Sequence, residues 1–169
     1  LFRSINQKAI TYEYTADDKT YDGTTDATVT EILTDTIVGD DVSLTETAAF
    51  SDKNAGTDKT VTVTGIALAG VDAGNYTITG VDTTTASIDQ KAITYEYTAD
   101  DKTYDGTTDA TVAETLTNTI AGDDVSLTET AAFSDKNADT DKIVTVTDIA
   151  LARSEEHTSE LQSRPHISY

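Results

Sequence analysis

The chain has 169 residues, 37% hydrophobic and only 7% aromatic, which is apolar material for two thin cores rather than one large one. Thirty-one acidic residues against 11 basic ones give a formal net charge of −20, a field that repels nucleic acid and anionic lipid and sets both aside as partners. Cysteine is absent, which excludes a thiolate nucleophile or a Cys-held metal, and no run reaches the length of a membrane span, so no membrane insertion is expected.

The first element, KAITYEY at 8–14, alternates Ile10, Tyr12 and Tyr14 with Ala9, Thr11 and Glu13, the period of a strand with one wet face. TADDKTYDGTT follows, and its Asp22-Gly23 pair predicts a tight hairpin with positive φ. Strand character returns in ATVTEIL (27–33), and TDTIVGDD (34–41) reads as a connection punctuated by Gly39. VSLTETAAF (42–50) puts Val42, Leu44, Ala48 and Phe50 on one face, where Glu46 is a misfit. A polar turn, SDKNAGTDK (51–59), leads to a strand in TVTVTGIAL (60–68). A second turn, AGVDAGNY (69–76), precedes the last two strands, YTIT and TTTASI. The 35 threonines suit such strands, because a β-branched side chain packs well on a pleated surface. No segment has a helical period. The pattern predicts an all-β fold, a small antiparallel sandwich of immunoglobulin-like type. Asp72-Ala73-Gly74-Asn75-Tyr76 resembles the tyrosine corner of such domains, in which the hydroxyl ties a strand to its preceding loop. The alternative is a β-grasp-like module, which needs a helix.

Self-comparison decides the organisation. QKAITYEYTADDKTYDGTTDATV at 7–29 recurs unchanged at 90–112, and 56 of 63 positions agree between 7–69 and 90–152. The differences are Thr30/Ala113, Ile32/Thr115, Asp35/Asn118, Val38/Ala121, Gly56/Asp139, Thr60/Ile143 and Gly65/Asp148. The reading is therefore a first repeat at 7–89, a second, C-terminally truncated repeat at 90–152, and at 1–6 the end of an upstream copy in a longer tandem array. After Ala152 the second copy lacks counterparts of Tyr76–Thr79 and Thr83–Ile88. Two strands should be missing there, exposing an edge and making this copy the less stable. Residues 153–169 break from the rest in composition, holding both histidines and the sole proline, and resemble the translation of a sequencing-adapter oligonucleotide. They are expected to be a non-native, disordered tail, so His157 and His166 carry no chemistry. Between the copies, ASIDQKAIT has neither Gly nor Pro and should couple neighbouring repeats semi-rigidly.

Several motifs carry candidate chemistry. The spacing of Asp18, Asp22 and Gly23 brushes against an EF-hand, but Thr20 and Val29 stand where ligands are required. Looser Ca²⁺ binding at a module junction would draw on Asp17, Asp18, Asp40 or Asp41, and the plain reading of these carboxylates is solvated loop charge. Carboxylates abound, yet 1–152 holds no His or Cys and no phosphate-cradling loop, so no catalytic residue and no cofactor are expected. Lys8 and Asn75 raise the idea of an isopeptide lock, against which an exposed Lys and a turn Asn are the ordinary reading. If Gly56 and Gly65 need positive φ, Asp139 and Asp148 strain the second copy.

KTYDGTT (19–25), GDDVSLT (39–45), AAFSDKNAGTDKTVTVTGIALAG (48–70) and DAGNYT (72–77) together resemble the YDG domain. That repeat occurs in large bacterial secreted and surface proteins, often beside MBG repeats and hemagglutinin-type regions. The resemblance implies an extracellular location and a role as a non-catalytic spacer or adhesive stalk. Its partners would be neighbouring repeats of the same chain, with a ligand-binding module for host glycan or protein as the alternative. It brings no catalytic residues to any position here.

Overall fold

The structure is a computed structural model that describes residues 1–152, and its contacts divide into two compact units after Lys91. The chain is all-β, built from several small sheets; among the described residues the sole helical element is one 3-10 turn, Ala73–Asn75, so the helix of a β-grasp is missing.

In the first unit, β1 (Lys8–Ala16) buries Ile10, Tyr12 and Tyr14 and exposes the alternate residues, as the sequence period dictates. It is the central strand of a three-stranded sheet. On one side β3 (Val29–Thr34) runs antiparallel, with Tyr12 opposite Leu33. On the other β6 (Tyr76–Gly80) runs parallel, with Ile10 opposite Ile78. The second sheet has four strands in the order β2 (Lys19–Thr20), β7 (Thr83–Asp89), β5 (Gly56–Ala69), β4 (Ser43–Phe50). Here β7 lies between β2, which it meets in parallel, and β5, which it meets antiparallel. One core joins both sheets: Tyr12 and Tyr14 from the first pack with Leu44, Phe50, Val61, Val63, Ala86 and Ile88 from the second.

Two local expectations are corrected. Asp22-Gly23 does not close a tight hairpin. Gly23 does take φ +81°, but the chain between β1 and β3 first detours to the other sheet, where β2 pairs with β7 before β3 returns to β1. A local dipeptide cannot reveal that detour, because the partner strand is about seventy residues away in sequence. Glu46, the misfit of β4, faces a β-bulge: Thr45 opposes Ala67 but Thr47 opposes Thr64, so β5 spends two residues, Gly65 and Ile66, against Glu46. Gly65 sits at φ +68°, the left-handed conformation such a bulge requires.

The second unit repeats only part of this. β8 (Thr94–Ala99) pairs with β9 (Val112–Thr117), and β10 (Leu127–Phe133) with β11 (Val144–Leu151). β1 starts at Lys8, but β8 starts three residues later in equivalent numbering; β5 starts at Gly56, but β11 starts five residues later. The lost positions are those whose counterparts lean on β6 (Lys8, Ala9, Ile10) and on β7 (Gly56, Lys59, Thr60). Among the described residues, nearly one sequence thus occurs with β6 and β7 in the first unit and with no equivalent strands in the second, and the positions that lose pairing are those that lean on them. Core side chains follow suit: Ile10, Val61 and Phe50 are buried, whereas Ile93, Val144 and Phe133 are half-buried and Tyr95 is 45% exposed.

Asp148 occupies the bulge position of Gly65 at φ +56°, so this exchange does place an L-residue in the left-handed region. The other exchange does not: Gly56 has no positive φ, and a Cβ there would meet only the Lys59 side chain at 3.6 Å. The expected tail, 153–169, lies outside the described residues.

Candidate functional site

The loop bearing Tyr21-Asp22-Gly23 is built around a lysine that the sequence reading did not single out. Lys19 leaves β2 with its ammonium beneath the loop, donating to Asp22 Oδ1 (2.9 Å), to the carbonyls of Thr24 (3.0 Å) and Asp26 (2.9 Å), and to Thr24 Oγ1 (3.1 Å). The same nitrogen stands 5.5 Å above the Phe50 ring centroid. Asp22 Oδ1 also accepts from the Thr24 amide and hydroxyl, each at 2.9 Å. This is an Asx-type turn locked by a charge-assisted bond. The Lys19 bond, followed by those from Thr24, holds the Asp22 carboxyl down at about 2. Gly23 takes the left-handed step, and Tyr21 packs half-buried against the core while its amide donates to the Asp89 carbonyl at 2.8 Å. The second unit rebuilds the knot from Lys102, Asp105 and Thr107, and Asp105 is likewise held at about 2. The chemistry of the motif is therefore turned inward, toward holding the loop. The signal that could have found Lys19 is its i, i+3 spacing from Asp22, ahead of the positive-φ glycine.

Tyr76, the tyrosine of the corner motif, is buried, and its hydroxyl donates to the Asp40 carboxylate and accepts from the Ile37 amide at 3.1 Å. It thus ties β6 to the β3–β4 connection, not to the turn just before it, which corrects the local form of the motif. Asp72 completes the junction by accepting the Asp41 amide at 2.9 Å, and the Asp41 carboxylate accepts from Val71 at 3.2 Å. Gly70, at φ +103°, allows this approach, because a Cβ there would overlap the Asp41 carbonyl.

The four calcium candidates fall into two groups. Asp40 and Asp41 meet the 70–76 segment through the bonds just described, whereas the Asp18 carboxylate accepts the Ser87 amide of β7 at 2.5 Å. Asp17 lies beside Asp18 in the β1–β2 connection, its amide donating to the Thr28 carbonyl at 3.0 Å. Among the described residues no three acidic, histidine or cysteine side chains are grouped to hold a metal ion. Lys8 and Asn75 are neighbours through the Lys8–Tyr76 register, and both are exposed.

A second polar cluster lies inside the first unit. Tyr14 Oη and Glu46 Oε2 are buried without a hydrogen-bond partner, and Glu31 accepts the Leu44 amide at 2.7 Å. Burial, reinforced by Glu46 and Glu31, pushes Tyr14 up to about 12. Burial, then Glu31, raises the Glu46 carboxyl. In the second unit Tyr97 donates to Glu129 at a long 3.4 Å.

No curated protein and no solved structure matches the chain. A family model does, twice, over residues 6–86 and 89–157, the YDG domain. With nearly the whole chain covered by two successive matches, and with the signature triad forming the same lysine-centred loop in each, this protein belongs to the YDG domain family.

Proposed function

We propose that the chain is a structural, non-catalytic repeat of a large extracellular adhesin-like protein, a spacer that holds a binding region away from a bacterial cell. The observation that carries this reading is the repetition itself, 56 identities in 63 positions. Near-verbatim reuse suits a length-setting element, because each added copy extends the chain without new chemistry, whereas an enzyme rarely needs its site copied in tandem. The polar signature side chains support it, since Lys19, Asp22 and Thr24 satisfy one another. The high negative charge fits a chain held soluble at high surface density. The two sheets around one core are, in this reading, an immunoglobulin-like sandwich whose parallel β1–β6 and β2–β7 pairings are its own variation.

The test is protease shaving of intact cells that make the full-length protein. Peptides of this repeat should be released before any cytoplasmic marker, and cells with repeats deleted should lose reach but keep the binding activity of the tip. Recovery of the repeat only after lysis would refute the location. A repeat-deleted protein that loses its ligand outright would favour a binding module.

A further inference from the structure

The signature triad sets an aspartate before a glycine twice, at Asp22-Gly23 and at Asp105-Gly106. In a free chain this pair is open to isomerisation, because glycine has no Cβ to shield its own nitrogen. The glycine nitrogen bonds to the aspartate Cγ, its proton and the side-chain hydroxyl leave as water, and a five-membered succinimide closes. Water then opens the ring at either carbonyl. Opening at the former backbone carbonyl gives isoaspartate, with the main chain rerouted through the side chain and one methylene longer. The hydroxyl leaves from a neutral carboxyl, so a carboxylate kept ionised resists the first step.

Burial does not shield this bond, since the Asp22 side chain is 51% exposed while that of Lys19 is 18% exposed. The shield is the knot. Asp22 Oδ1 takes three donors at 2.9 Å, the Lys19 ammonium and the Thr24 amide and hydroxyl, and all three favour its charged form. The carboxyl is aimed past Gly23 at the Thr24 amide, so closing a ring on the Gly23 nitrogen means turning it out of this cradle. The flanks resist the turn as well: the Tyr21 amide is fixed on the Asp89 carbonyl at 2.8 Å, and the Thr24 carbonyl on Lys19 at 3.0 Å. We propose that Asp22-Gly23 is a latent isomerisation site that the Lys19 knot holds shut, and that Lys102 does the same for Asp105-Gly106. The added methylene of an isoaspartate would carry the Thr24 and Asp26 carbonyls off the ammonium, so one event would undo the loop for good. The inference rests on the loop geometry and is independent of the spacer reading.

The experiment ages the full chain for weeks at mildly acidic pH and counts isoaspartate at each loop by fragmentation mass spectrometry. Peptides across the two loops differ in mass through Thr30/Ala113 and Ile32/Thr115, so each unit is the other's internal reference. Lys19→Met should raise isoaspartate at Asp22 by about tenfold or more and leave Asp105 at its original rate. Thr24→Ala, which removes one donor from an exposed side chain and keeps the lysine, should give a smaller rise at Asp22 alone. Lys59→Met serves as the control for general loosening, because Lys59 is equally packed and pairs with Asp52 at 2.7 Å, away from the Asp-Gly bond. An unchanged Asp22 rate in both K19M and T24A would overturn the proposal. So would equal acceleration by K59M, since loss of fold stability rather than loss of the knot would then set the rate.

Discussion

Truncating Val61 to alanine and, separately, Val144 to alanine makes one chemical change at equivalent positions of two nearly identical units. Val61 is fully buried between β4 and β7, opposite Phe50 and Thr84, whereas Val144 is half-buried. Removing two buried methyl groups loses about 1.6 kcal/mol of transfer free energy, and a cavity adds to it, for a total of about 2 kcal/mol in the first unit. For a domain of this size that lowers the melting temperature by about 8–16 °C. In the second unit part of the side chain already faces water and the open edge can collapse onto the gap, so the loss should be under about 1 kcal/mol. Calorimetry of the full chain should show two transitions, the first unit melting higher. V61A should pull down the upper one strongly, and V144A should move the lower one slightly. Equal shifts, or a larger one from V144A, would mean that β7 does not complete the core, and the comparison of the two units would fail with it.

Other outcomes follow from single residues. Asp148→Gly should stabilise the second unit by about 1 kcal/mol in denaturant, by relieving a left-handed L-residue, and Gly65→Asp should weaken the first by a similar amount. The Asp22 carboxyl is depressed to about 2, so its contribution is present above its ordinary 3.8 and is lost as pH falls toward 2. Carboxyl NMR should show that low midpoint, and Lys19→Met should return it toward 3.8. Glu46 is the opposite case: its carboxyl is raised, so its contribution is present below the ordinary 4.5 and is lost as pH rises through the folded value. Glu46→Gln should therefore stabilise the first unit at pH 7 and change little at pH 3, and an unchanged urea midpoint at pH 7 would remove the argument.

The strands were legible because their signal is local. Ile10, Tyr12 and Tyr14 alternate with polar neighbours, and the structure buries all three. The repeat was legible for a simpler reason, since identity needs no physics to detect. What escaped was everything set by partners distant in sequence. Asp22-Gly23 carried the signature of a hairpin, but the β2–β7 pairing redirects the chain before it can close one. Tyr76 was recognisable as a corner, yet its hydroxyl finds Asp40 rather than its own turn. Glu46 stands out as a misfit in the alternation of β4, but only the bulge at Gly65 on the opposing strand shows how the sheet accommodates it. The lysine at the centre of the signature loop is not legible in the sequence, because a lysine beside aspartates reads as ordinary surface charge until its four acceptors are seen together.

The first strand of the unit lies between β3 and β6, and the last lies between β2 and β5. A chain tugged from both ends would therefore load two inner strands, each stitched along both flanks, rather than peel away a rim. Pulled along their length, the rungs of such ladders bear load together instead of opening one after another as in a zipper. In the spacer role proposed above, that placement of the end strands would give the unit resistance to force.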